Sequence, residues 1–230
     1  MVKQHIKRLN APRSWPISRK GTKWVTRQNP GTHSLENSVP LNIMLKDMLK
    51  YAKTTRDSRR ILSNKDVLID NLPRANIKFP VGIFDVVEIP KTKEHFLMLL
   101  NKKGRLFLKK IDEKKAGFKH IKIIGKTMLK KGRLQINFNN GNNMLIDKKE
   151  YNVGDTLIIS LKDRKIVKHI KLEKGAAIYL TKGKHIGEIG TLEDAGKLKK
   201  SGNNLVELKI GNKNVSTLKD YIFAVDMDLV

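Results

Sequence analysis

The sequence contains no cysteine, which excludes disulfides and thiolate-held metals. Its six histidines are scattered, without the spacing that a ligand cluster uses. No apolar run approaches the roughly 20 residues of a membrane-spanning helix. Met1 leads directly into polar and basic residues, not into the apolar core of a signal peptide. A soluble, intracellular chain without cofactor or membrane partner is expected. Catalytic signatures are missing as well: there is no phosphate-binding GxxxxGK[ST], no GxSxG and no HExxH. Acids are scarce, with 22 Asp and Glu against 48 Lys and Arg, and the first carboxylate is Glu36.

What is present is cationic. The net charge of +26 over 230 residues exceeds what solubility needs, and its self-repulsion opposes a compact state. Every successive stretch of the chain is basic, so a single tail on a neutral domain is excluded. A polyanion in contact with several parts of the chain resolves the repulsion, and nucleic acid fits best. The segment KRLNAPRSWPISRKGTKW, residues 7–24, concentrates the question. It holds both tryptophans, Trp15 and Trp24, six Lys and Arg residues and no acid. With little apolar content and Pro12, Pro16, Pro30 and Pro40, residues 1–40 read as an extended basic arm without a core of its own.

Leu41, Leu45, Met48, Leu49 and Ala52 fall at helical spacing, with Ser38 as the expected cap and Pro40 in the first turn. A second helix follows, capped by Thr54 or Thr55, in which Arg56, Arg59 and Arg60 share a face. That face is either an RNA contact or a solvated charged surface steadied by Asp57. Short strands around a turn at Asn71 to Arg74, then VGIFDVVEI, complete a small module. From residue 94 onward the pattern is β, with hairpin turns at Lys103-Gly104, Asn140-Gly141, Lys162 to Arg164 and Gly211-Asn212. The expected organisation is an arm over 1–40, a two-helix and curled-sheet module over 41–90, a central β domain over 91–172 and a final β domain over 173–230. The fold class is α+β, mostly β.

Asp85 alone among the acids lies in an apolar run, as either a buried acid or a turn-capping carboxylate. The turn-cap reading assigns Asp85→Asn the loss of one hydrogen bond, about 0.5–1.5 kcal/mol. His169 in IVKHIKL is expected as a packed or half-exposed strand residue.

Two stretches resemble known families. GAAIYLTKGKHIGEIGTLED, residues 175–194, is similar to the KOW motif, a strand, a Gly-rich loop and a second strand in a small Src-homology-like barrel that binds RNA or ribosomal partners. Gly187 and Gly190 match its glycines, and Lys182-Gly183 stands where a Gly pair is usual. The resemblance implies that Lys182, Lys184 and His185 approach RNA, and that Gly183, Gly187 and Gly190 shape the loop. Residues 41–90 look like the RNA-binding module of bacterial ribosomal protein S-four and some pseudouridine synthases. This implies that Arg56, Arg59, Arg60, Lys65 and Arg74 face RNA. Together with HIKRLNAPRSWPI and NPGTHSLENSVPL, residues 5–17 and 29–41, the order of parts resembles the archaeal and eukaryotic small-subunit ribosomal protein family S-four, e-type. That resemblance implies a structural, non-enzymatic constituent of the small (30S) ribosomal subunit, archaeal kinship, and contact with ribosomal RNA and neighbouring ribosomal proteins. The arm's Lys7, Arg8, Arg13, Trp15, Arg19, Lys20, Lys23, Trp24, Arg27 and His33 join the RNA-contact candidates. The alternatives are a pseudouridine-synthase-like enzyme and a KOW-containing transcription or translation factor.

Overall fold

A computed structural model describes residues 5–146, 150–194, 205–211 and 213–226. Asn212 and Asp147, assigned from sequence to a hairpin turn and a strand, lie outside these. The chain divides into two compact units, residues 1–119 and 120–230.

In the first unit, β1 (His5–Lys7) pairs antiparallel with β2 (Trp24–Thr26). β3 (Ser38–Pro40) leads into helix α1 (Leu41–Ile43), which continues as a wider π-type turn over Met44–Met48. Ser38 is not the helix cap expected from the sequence. It is held extended in β3, and its hydroxyl donates to the Ser34 carbonyl and to Gln28 Oε1. Helix α2 (Thr55–Ser63) is capped by Thr54, whose side chain accepts from the Asp57 amide while the Asp57 carboxylate accepts from the Thr54 amide. This reciprocal box satisfies two otherwise orphaned donors, so Asp57 serves the helix start.

β4 (Leu68–Ile69) turns into β5 (Leu72–Pro73) through Asp70 and Asn71, both at positive φ. Asp and Asn tolerate that conformation, so the tight turn sits at 70–71 and not at 71–74. β6 (Pro80–Gly82) pairs with β3. β7 (Val86–Ile89), β8 (Glu94–Leu100) and β9 (Leu106–Ile111) complete a sheet of order β5-β4-β7-β8-β9, followed by the one-turn helix α3 (Glu113–Ala116).

The expectation of an arm without a core is corrected here. Trp15 is 1% exposed, and its indole N–H donates to the Ser38 carbonyl at 2.7 Å. Ala11, Ile17 and Val25 are also buried. Two arginines substitute for the missing secondary structure. Arg19 donates to the carbonyls of Ala11 and Pro12 at 2.7 and 2.9 Å. Arg8 donates to Ser18 O at 2.8 Å and to Thr22 O at 2.9 Å. Guanidinium donors have replaced the backbone donors that the prolines lack.

The second unit holds two five-stranded antiparallel sheets. β10 (Phe118–Met128), β11 (Leu134–Phe138), β12 (Asn143–Ile146), β13 (Thr156–Ser160) and β14 (Ile166–Ile170) form the order β12-β11-β10-β13-β14. Their core is Ile121, Ile123, Ile136, Phe138, Leu157 and Ile159. β15 (Ala177–Leu180), β16 (Ile189–Asp194), β17 (Leu205–Ile210), β18 (Lys213–Leu218) and β19 (Ile222–Ala224) form the order β18-β17-β16-β15-β19. This sheet closes over Ile178, Leu180, Leu192, Val206, Leu208 and Ile222. The architecture is mostly β with few helices, in line with the expected fold class.

His120 on β10 is 3% exposed, and burial pushes its pKa down to about 4. The folded state favours the neutral ring. Its contribution is complete above the unfolded value near 6.5 and is lost as pH falls through the folded value. The difference is about 3 kcal/mol. Urea unfolding of the wild type and of His120→Gln should therefore converge by that amount between neutral pH and pH 4. A pH-independent gap would refute the assignment.

Candidate nucleic-acid interface

The cations singled out from the sequence fall into three groups. On α2, Arg56, Arg59 and Arg60 point to solvent, and no described carboxylate forms a salt bridge with any of them. The sequence produces this because Ser58 and Leu62 supply the buried stripe and the arginines occupy the remaining positions. Lys65, exposed and at positive φ, follows the helix. Arg74 is half-buried, with its guanidinium 4.5 Å from the centre of the Phe79 ring, a cation–π stack that fixes its direction.

The N-terminal segment supplies the second group. Lys7, Arg13, Lys20, Lys23 and Trp24 are exposed, and Arg27 is half-buried. Trp15, Arg8 and Arg19 are engaged within the segment. His33 is also withdrawn from the surface: its side chain is 6% exposed, and Nε2 lies 3.0 Å from the Asp85 carboxylate. Trp15 and His33, expected among the RNA contacts, are instead interior groups, because each finds a polar partner inside the unit.

The third group is the loop between β15 and β16. Lys182 and Lys184 are exposed, and His185 Nδ1 lies 2.9 Å from Glu188 Oε2. Gly183 and Gly187 have φ of +92° and +78°, which a turn of this tightness requires. Gly190 is different from the expectation. It sits in β16, where a Cβ would come within 2.8 Å of the Lys209 carbonyl, so its role is close strand packing and not shaping the loop.

Beneath the first unit's surface lies a cluster that the sequence pattern only half reveals. Asp85 is 1% exposed. Its carboxylate accepts from the Gly82 amide at 2.8 Å and from Lys119 Nζ at 2.5 Å, beside His33. Lys119 also pairs with Asp70. Burial would push Asp85 up, but Lys119, His33 and the Gly82 amide together hold it well below the usual carboxylate range. Asp70 is raised by burial and by the Asp85 charge. Burial would lower Lys119, but the two aspartates outweigh it and raise it. The expectation for Asp85 thus resolves into both of its alternatives, a buried acid that also closes the turn at Gly82. In the second unit, Asp155 plays a related part, accepting from the Asn152 and Leu172 amides and holding His169 at 2.7 Å. His169 is packed against Tyr151, as a strand histidine is expected to be.

No helix among the described residues is long and apolar enough to cross a membrane, and the described residues hold no group of side chains arranged for a metal ion.

The description "Ribosomal family S4e" matches residues 92–166, and the RS4NT (NUC023) domain matches residues 2–36. The small ribosomal subunit protein eS4 of Methanosphaera stadtmanae is 42% identical over 98% of this chain and 93% of its own length. That of Methanothermobacter thermautotrophicus is 42% identical with the same coverage. The crystal structure of the 30S ribosomal protein S4e from Thermoplasma acidophilum superposes with a TM-score of 0.72 at 33% identity, covering 82% of this chain and 95% of that one. The chain belongs to the ribosomal protein family S4e, with archaeal relatives along nearly its whole length.

Proposed function

We propose that the chain is a structural constituent of the small ribosomal subunit that binds ribosomal RNA through its exposed cationic faces and adjoins other ribosomal proteins. Kinship over nearly the full length runs through ribosomal proteins, so a non-enzymatic role displaces the pseudouridine-synthase alternative. A cytoplasmic location follows from that role. The segments read from the sequence keep their proposed parts, with 41–90 as an RNA-binding module and 173–230 as a KOW-type barrel. The observation that carries RNA binding is the α2 face, where three arginines stand exposed on one short helix with no described carboxylate bridged to them. Such a face suits the phosphate backbone, which positions without reading sequence.

Replacing Arg56, Arg59 and Arg60 with Ala should weaken binding to small-subunit ribosomal RNA without changing which fragment is preferred. The salt slope should fall by about 0.7–0.9 for each phosphate that the variant no longer neutralises. An unchanged slope would mean that the face is only solvated.

A further inference from the structure

We propose that the outward face of the β1–β2 ribbon is a stacking platform for an unpaired RNA base, with the Trp24 indole as the platform and Lys7 and Lys23 on the flanking phosphates. This rests on the RNA-binding reading above and adds to it a site and the form of RNA that the site takes.

The fold treats its two indoles oppositely. Trp15 is buried and its N–H is satisfied inside the unit. Trp24 is 51% exposed. The burial pattern of the ribbon explains its direction, since Ile6 and Val25 turn inward while His5, Lys7 and Trp24 turn out. Lys7 and Trp24 are directly opposed in register, and opposed residues of an antiparallel pair share one face. The Lys23 ammonium lies 5.8 Å from the indole ring centre.

The platform is fixed before any partner arrives. The Arg8 amide donates to the Lys23 carbonyl at 2.9 Å, and the Arg8 guanidinium donates to Thr22 O and Ser18 O. These bonds pin the backbone on the N-terminal side of Trp24, so binding need not order it. An indole presented in this way is a cost in water unless something flat and apolar covers it.

The surrounding charge selects the cover. Lys7, Lys20 and Lys23 are exposed, and the first carboxylate in the sequence is Glu36. A nucleobase supplies the flat π face, and its backbone supplies the anions. A rigid aromatic flanked by cations is the arrangement by which single-stranded nucleic acids are held. A duplex keeps its base faces stacked and offers the indole nothing.

The test uses the full-length protein with a short single-stranded oligoadenylate and an RNA duplex of equal length. Trp24→Ala should weaken oligoadenylate binding by about 5- to 150-fold, with the salt slope and the duplex affinity unchanged. Trp24→Phe should keep the oligoadenylate affinity, because the ring remains, and should abolish the fluorescence quench that the wild type shows, because the remaining Trp15 is buried. The proposal is overturned if Trp24→Ala binds oligoadenylate like the wild type, or if single-stranded and duplex affinities fall together. It is also overturned if only incorporation into small subunits is lost while RNA binding stands, which would assign the indole to a protein neighbour. Loss of effect at Trp24 with the α2 effect intact rejects the platform alone. Loss of both rejects RNA binding itself.

Discussion

Raising salt from about 50 to 200 mM is expected to weaken binding of the full-length protein to small-subunit ribosomal RNA by on the order of 10⁵-fold, the drop that about ten phosphate contacts produce. Ten is the number of Lys and Arg candidates that the fold leaves exposed: Lys7, Arg13, Lys20 and Lys23 in the N-terminal segment, Arg56, Arg59, Arg60 and Lys65 around α2, and Lys182 and Lys184 in the β15–β16 loop. Some of the other cations are already occupied. Lys91, Lys110 and Lys168 form ion pairs with Asp66, Glu94 and Asp226, and Lys119 is interior. Each engaged phosphate releases a counterion, so ten contacts give a log–log slope near −9 on duplex RNA and somewhat less on single strands, at about 0.9 and 0.7 per contact. Filter binding across a salt series measures the slope directly. A slope shallower than about −4 would mean that fewer than half of these side chains reach phosphate, and the extensive contact inferred from the charge would be wrong.

The sequence made the class of the fold legible through its hairpins. Asn140-Gly141 turns between β11 and β12, and Gly104 and Gly211 take the positive φ their hairpins need. The α2 arginines were legible because helical spacing places them on one side. β10, the 11-residue strand, was not. Lys119, His120 and Lys122 interrupt its alternation with polar residues, yet all three are buried. The partners of Lys119 and Lys122 are remote in sequence, which local pattern cannot show. Lys122 Nζ donates to the carbonyls of Lys219 and Ile222 at 3.0 and 2.8 Å, and burial pushes it down to about 8. The N-terminal segment hides its structure for a similar reason. Its core consists of one indole and a few small apolar groups, stapled by Arg8 and Arg19, and composition registers those arginines only as charge.

Asp85→Asn is expected to destabilise the first unit by about 3–5 kcal/mol, the cost of removing one member of a buried ion pair. The sequence expectation of a single turn hydrogen bond is too small, because the carboxylate also faces the buried Lys119 ammonium and His33. The site has no slack. A Cβ on Gly82 would fall 2.2 Å from the His33 ring, so the ring lies directly over the turn that Asp85 closes. The amide of Asn can still accept from Gly82, but it leaves Lys119 with Asp70 as its only described carboxylate partner. Asp85 has a folded pKa depressed below the unfolded value of about 3.9, so its contribution is present above that pH and is lost as pH falls through the folded value. Asp70 has the opposite sign: its raised pKa makes its ionised form a cost that disappears as acid protonates it. The part of the gap that the Asp85 carboxylate itself contributes should therefore be present at neutral pH and close only below about 4. Lys119→Met in the Asp85→Asn background should cost less than the two single effects added, since the pair fails as a unit. Urea unfolding that places Asp85→Asn within about 1 kcal/mol of the wild type at neutral pH would reduce Asp85 to a turn cap and refute the buried pair.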